Sequence, residues 1–243
     1  MVSRVLSVLF LFCVMLTLAT SAHADRRKYV WTYSYQTMPA GKTELELYQT
    51  TRLSSSNTNE IRVEIEHGLT SGWDVSLYEI FNQPEGKGMS WDAWQVRSRV
   101  KLAPSGQFPL DPLLYLEYQR KIDLTKQNKL EAKLILSRDF GRVNLSVNPL
   151  YEFFFAPGDP VHEIGLDAGL SFEPSYQFSF GAEWVWRREF VPADKGGIDE
   201  TAAYLGPTIS LSHAEVYATI GYLTGLTDDS DDSRVRFIIG IGL

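Results

Sequence analysis

The chain has 243 residues, 23 basic and 30 acidic side chains, a formal net charge of −7 and one cysteine. That acidic balance disfavours nucleic acid as a partner, and a single cysteine excludes a disulfide-stapled scaffold. Nowhere after Ala24 is there an apolar run of about eighteen residues, so no later helix is expected to cross a bilayer.

Residues 1–24 read as a cleaved export signal. Arg4 precedes the apolar run Val5–Leu18, and Ser21-Ala22-His23-Ala24 closes on small residues before Asp25. The run is shorter than the roughly 20 residues a spanning helix needs. Cys13 lies inside it, so the exported chain keeps no thiol and carries 22 basic against 30 acidic residues. Burial and backbone pairing alone must then hold it together. Asp25–Lys42 (DRRKYVWTYSYQTMPAGK) comes next, with Trp31, Tyr33 and Tyr35 alternating and a turn at Pro39-Ala40-Gly41. Two placements are open for it, a periplasmic extension or a plug inside whatever the remaining chain encloses.

From Thr43 onward one pattern recurs. In Thr43–Leu53, Leu45 and Leu47 oppose Glu44, Glu46, Tyr48 and Arg52; in Glu60–Leu69, Ile61, Val63 and Ile65 oppose Arg62, Glu64 and Glu66. This is the period-two signature of a strand with one apolar and one charged face. Ten further runs keep it: Trp73–Phe81, Ala93–Leu102, Leu113–Gln119, Asn128–Ser137, Val143–Phe155, Val161–Phe172, Phe178–Arg188, Thr201–Ser212, Ala214–Leu223 and Arg234–Leu243. About twelve strands near nine to eleven residues each suit a tilted crossing of a bilayer.

Connections after even-numbered strands, such as Thr70–Gly72 and Arg138–Arg142, are short apart from Ala103–Pro112. Those after odd-numbered strands, such as Asn82–Ser90, Glu189–Glu200 and Thr224–Ser233, are longer and more polar. An outer-membrane barrel sorts its loops in this way, with short turns on the periplasmic side. Aromatics on the apolar phase gather toward both ends, Trp73 and Phe172 beside short turns and Trp94, Phe153 and Trp184 toward long loops, as interfacial girdles do. The fold expected is therefore all-β: a single antiparallel up-and-down transmembrane β-barrel over residues 43–243, placed in the outer membrane of a Gram-negative bacterium. Its charged phase faces a lumen, because a Lys or Arg facing lipid near the midplane costs about 2–4 kcal/mol. Glu79, near a rim, is the exception on the apolar phase.

The hairpin EIEHGLTSGWDVSLYE (Glu64–Glu79) and the last strand SRVRFIIGIGL (Ser233–Leu243) resemble those of Gram-negative outer-membrane barrels. The acidic strand, the Gly-Leu-Thr turn and the strand after it are similar to the barrel family assigned to the MetA pathway of phenol degradation. The resemblance implies a porin-like transport role, with membrane lipid, lipopolysaccharide and the barrel-insertion machinery as partners and no cofactor. One departure from that pattern is Leu243, where such barrels carry a terminal aromatic.

Twelve strands lie between the eight that side chains fill and the sixteen that leave a water channel. The expected function is a narrow passive channel for small solutes, filtered by a mixed-charge lumen of Arg62, Glu64, Glu66, Asp74, Arg97, Arg99, Lys101, Glu117, Glu131, Lys133, Glu183 and Arg187. A non-conducting surface barrel with its charges paired across the lumen, for example Asp74 with Arg99 or Lys101, is the alternative. Catalysis is not expected. The His-x-Ser-Asn-Gly motif of outer-membrane phospholipases is absent, and His67, His162 and His213 are scattered along the chain. The loop carrying Asp228, Asp229, Asp231 and Asp232 offers oxygen ligands to a divalent cation but lacks the glycine and distal glutamate of an EF-hand, so it reads as a solvated loop.

Overall fold

The computed structural model describes residues 26–190 and 200–243. The expected export signal lies outside the described residues, as does 191–199 in the connection after the ninth strand. Twelve strands follow one another: β1 (Thr43–Leu53), β2 (Thr58–Thr70), β3 (Trp73–Pro84), β4 (Ser90–Lys101), β5 (Asp111–Lys121), β6 (Asn128–Phe140), β7 (Val143–Phe155), β8 (Val161–Ser175), β9 (Phe178–Phe190), β10 (Glu200–His213), β11 (Val216–Gly225) and β12 (Ser233–Gly242). Each pairs with its chain neighbours, and β1 closes on β12 from Glu44↔Gly242 to Leu53↔Ser233, so the sheet is a closed antiparallel barrel. Closure removes the two sheet edges, which lipid could not hydrogen-bond.

The strands outrun the hydrophobic alternation at the long-connection end. β2 and β3 pair as far as Thr58↔Pro84, beyond the last apolar pair Ile61↔Phe81. A ladder needs only backbone groups, and polar side chains above the hydrocarbon cost nothing. At the other end β11 begins at Val216 and not Ala214, because Ala214 adopts a positive φ of 51° in the turn after β10.

Which face points outward follows from exposure. Leu45, Leu47 and Ile65 are 41–47% exposed while Glu44, Glu46 and Glu64 beside them are at most 1% exposed. Apolar side chains therefore cover the outside and charged ones the inside. An apolar band of this kind around a closed barrel is the lipid-facing surface of an outer-membrane barrel. Connections after even strands are short, at 71–72, 141–142, 176–177 and 214–215, with 102–110 as the long member; those after odd strands run to 226–232 after β11. Glu79 sits on the outer phase between Val63 and Trp94. The described residues contain no helix long and apolar enough to cross a membrane.

Candidate functional site

The interior of the barrel is occupied by the chain's own N-terminal segment, residues 26–42. Gly41 N donates to Gly68 O at 2.8 Å and Gly68 N to Lys42 O at 3.0 Å, which fixes the segment at the short-connection end where β1 begins and β2 ends. From there it crosses the lumen as chain without a sheet partner, so its backbone groups need side-chain acceptors. Glu183 of β9 supplies two oxygens that accept the N–H groups of Val30 at 2.7 Å, Trp31 at 2.8 Å and Thr32 at 2.6 Å. On β7, Asn148 accepts the Tyr33 N–H at 2.6 Å and donates to Tyr33 O at 3.1 Å. Asp74 of β3 accepts the Met38 N–H at 3.0 Å. Tyr29, Val30 and Met38 are buried.

Two glycines on the inner phase make room for this segment. A Cβ at Gly169 would stand 2.6 Å from the Tyr29 ring, and one at Gly221 would stand 2.4 Å from Val30. Any larger residue there would meet the segment.

Beneath and beside Tyr33 the lumen is bound by ion pairs. Arg97, fully buried, pairs with Glu64 at 2.8 Å and with Glu66, and donates to Ser76 and Tyr78. Arg99 pairs with Asp74 at 2.7 Å and with Glu66. From the segment, Arg27 reaches Glu46 at 2.8 Å and Glu64 at 3.7 Å, and the Tyr48 hydroxyl donates to Glu64 at 2.6 Å. The Asp74–Arg99 pair therefore forms, but between register partners on adjacent strands rather than across the lumen. Lys101 lies 5.0 Å from the Tyr35 ring and donates to Ser71 O, away from this cluster. Tyr33 is the hub: Arg27, Arg97, Arg99 and Lys133 lie 4.6–5.8 Å from its ring and the Tyr115 ring is 5.2 Å away.

A second network lines β5 to β9. Lys129 meets Glu117 at 3.3 Å, Glu131 at 2.8 Å and Glu152 at 2.7 Å. Lys133 meets Glu131 at 3.2 Å and Asp167 at 3.3 Å, and Arg187 meets Asp167 at 2.6 Å and Glu163 at 3.5 Å. The segment divides the remaining space. Trp31 and Tyr33 face an upper cavity of about 440 Å³ toward the long connections, while Lys28, Ser34, Tyr35 and Gln36 face a lower one of about 230 Å³ near the short turns.

The structure thus places Glu64, Glu66, Asp74, Arg97 and Arg99 in one cluster and Glu117, Glu131, Lys133 and Arg187 in another, with Glu183 on the segment's backbone. Arg62 bonds Glu60 at 2.7 Å on the wall of the upper cavity. Arg27, Tyr33, Asn148 and Asp167 complete these networks and were outside the sequence-based set. So were Arg52, Arg234 and Arg236 of the upper cavity, although their inward phase was readable.

Among the described residues, Glu46, Glu64 and Glu66 form the set of carboxylates whose oxygens converge to within 4.8 Å. Arg27 and Arg97 pair with them, so ion pairing accounts for the cluster. The aspartates of the last long loop form no such set. Asp229 accepts the Thr201 N–H at 2.7 Å, and Asp231 pairs with Arg234 at 2.6 Å. His67 bonds Thr43 at the start of β1, and His162 near the start of β8 bonds Tyr151, both in exposed surroundings.

No protein-family model matches the chain, and no curated protein sequence matches it. Solved structures do. The COG4313 outer membrane channel from Pseudomonas putida F1 aligns with a TM-score of 0.64 at 9% identity over 88% of this chain and 100% of that one. The NanC porin (TM-score 0.53, 15% identity, 81% of this chain and 98% of that one) and the KdgM porin (0.54, 12%, 82% and 98%) share the fold. The protein is an outer-membrane twelve-stranded β-barrel, a fold it shares with a channel and two porins.

The expectation that the chain is not an enzyme is corrected by the same comparison. The similar barrels are not all named as channels or porins: they include the translocator domain of the autotransporter NalP from Neisseria meningitidis (TM-score 0.54, 10% identity, 83% of this chain and 87% of that one). One architecture carries several functions, so the fold gives no ground for excluding catalysis, and the missing phospholipase motif excludes only that one chemistry.

Proposed function

We propose that the barrel is a narrow passive channel for small solutes, in which residues 26–42 form the constriction and the charged walls around and above it, Arg97 and Arg99 included, form the filter. The observation that carries this reading is the pair of cavities on either side of the segment, about 440 Å³ above and about 230 Å³ below. Polar cavities on both sides of the segment give a solute a hydrated approach to it from either end, as a channel with a central constriction needs. The similarity to a Pseudomonas putida channel and two porins supports transport in general. The resemblance of Glu64–Glu79 to MetA-pathway barrels supports the same role without naming a solute.

The second reading, a barrel that conducts nothing, draws on the depth at which Tyr29, Val30 and Met38 are buried in the lumen. Planar-bilayer recording of the refolded chain separates the two. Discrete conductance steps whose ion selectivity changes in Arg97→Ala/Arg99→Ala support the channel, and a folded barrel that never conducts supports the plug.

A further inference from the structure

The upper cavity separates charge between its walls. On β12, β1 and β2 four guanidiniums crowd one patch. Arg52 and Arg234 are register partners, Arg236 and Glu60 flank Thr50 in register, and Arg62 lies one inward step further along β2. Two carboxylates serve them, Glu60 on Arg62 at 2.7 Å and Asp231 on Arg234 at 2.6 Å. Among the described residues, Arg52 and Arg236 form no direct ion pair, and the carboxylate whose charge acts on both, Glu60, is already bonded to Arg62. Arg236 instead donates to Thr50 at 2.8 Å and to Val30 O at 3.1 Å, and lies 4.7 Å from the Trp31 ring.

The facing wall, on β5 to β9, has the opposite imbalance. Glu117, Glu131, Glu152, Glu163 and Asp167 share three cations, Lys129, Lys133 and Arg187. The remaining cation of that wall, Lys121, is paired with Asp92 at 2.6 Å. Both walls enclose one cavity of about 440 Å³, toward the small end of ligand-binding pockets.

We propose that this cavity binds small zwitterions carrying one carboxylate and one ammonium group. The carboxylate is received by Arg52 and Arg236, whose planar forks suit bidentate pairing with it, and the ammonium turns toward Glu152 and Glu163. A simple anion would gain the first contact and be repelled by the second wall; a simple cation would meet the reverse. The transverse arrangement therefore favours a solute that carries both charges. The proposal names the solute class of the passage proposed above and rests on that reading for its role, but binding is measured apart from conduction.

The test uses three probes of one size, 4-aminobutyrate, butyrate and butylammonium, titrated by saturation-transfer NMR into the detergent-solubilised folded barrel. The expected result is that 4-aminobutyrate binds up to about fivefold more tightly than either singly charged probe, the advantage of one added ion pair. Arg52→Gln/Arg236→Gln removes that binding. Glu152→Gln/Glu163→Gln, with heat-modifiable migration confirming the fold, lowers 4-aminobutyrate to the level of butyrate and leaves butyrate no weaker. Equal binding of 4-aminobutyrate and butyrate, unchanged by the carboxylate variants, would mean a plain anion site and overturn the proposal, as would no binding of any probe. Conductance in KCl without zwitterion preference overturns this inference alone; zwitterion binding by a barrel that never conducts overturns the channel reading alone.

Discussion

Glu183 on β9 accepts the backbone N–H of Trp31 at 2.8 Å on the same oxygen that accepts Thr32 at 2.6 Å, while its other oxygen accepts Val30 at 2.7 Å. One carboxylate therefore satisfies three consecutive donors of a segment with no sheet partner at that point. The position of residues 30–32 in the lumen depends on it.

Replacing Glu183 with Ala leaves those three donors unpaired, at about 1–3 kcal/mol for each buried donor. The segment is then expected to leave the lumen while the barrel, held by its closed ladder, stays folded. Limited proteolysis of the detergent-solubilised protein checks this: residues 26–42 should become cleavable in Glu183→Ala and stay protected in the wild type. Protection in both would show that other contacts suffice.

Gly169→Leu tests the same contact from the opposite side. Its side chain would occupy the space of the Tyr29 ring, which stands 2.6 Å from an added Cβ. The substitution should expose the segment to protease as Glu183→Ala does. In a chain already lacking residues 26–36 it should have no effect on heat stability beyond about 0.5 kcal/mol, the usual range for a site without contacts.

Arg97 is fully buried between Glu64 and Glu66. Arg97→Ala removes the cation shared by two buried carboxylates, leaving Glu66 to Arg99 and Glu64 to the more distant Arg27 at 3.7 Å, and should cost about 3 kcal/mol. Adding Glu64→Gln should recover part of that loss, since Glu64 is the carboxylate left with only a distant cation, Arg27 at 3.7 Å. The temperature at which the barrel loses its fast-migrating folded form on gels measures both variants; a double variant no more stable than Arg97→Ala would contradict the pairing.

Ile65 is 47% exposed on the outer wall while its chain neighbour Glu64 is fully buried. Ile65→Arg should therefore cost about 2–4 kcal/mol in lipid and slow insertion into vesicles. Insertion at the wild-type rate would argue that this strand does not face hydrocarbon.

Much of the barrel was legible because a β-strand exposed to lipid on one face and water on the other must alternate, and Leu45 against Glu44 or Ile65 against Glu64 states that alternation outright. Strand ends were less legible. Thr58 pairs with Pro84 through backbone groups, which leave no mark in side-chain polarity. Which charges would meet was readable only where neighbours share a hairpin, as Asp74 and Arg99 do through register. The clusters joining Arg27 to Glu46, or Lys133 to Asp167, depend on barrel curvature and on the inserted segment. That insertion left one trace, glycines 169 and 221 on an inner phase otherwise rich in large polar residues. Trp31 and Tyr33 alternate like a strand, so sequence alone left an external and an internal placement equally open.

On the proposed function, the lumen is a passage narrowed by its own N-terminal segment. The most direct measurement of that claim is single-channel conductance in a planar bilayer, comparing the refolded chain with one lacking residues 26–36. The expected result is small discrete steps for the full chain and larger steps for the shortened one, both altered in ion selectivity by Arg97→Ala/Arg99→Ala. A shortened barrel that is folded, heat-modifiable and still silent would contradict the claim.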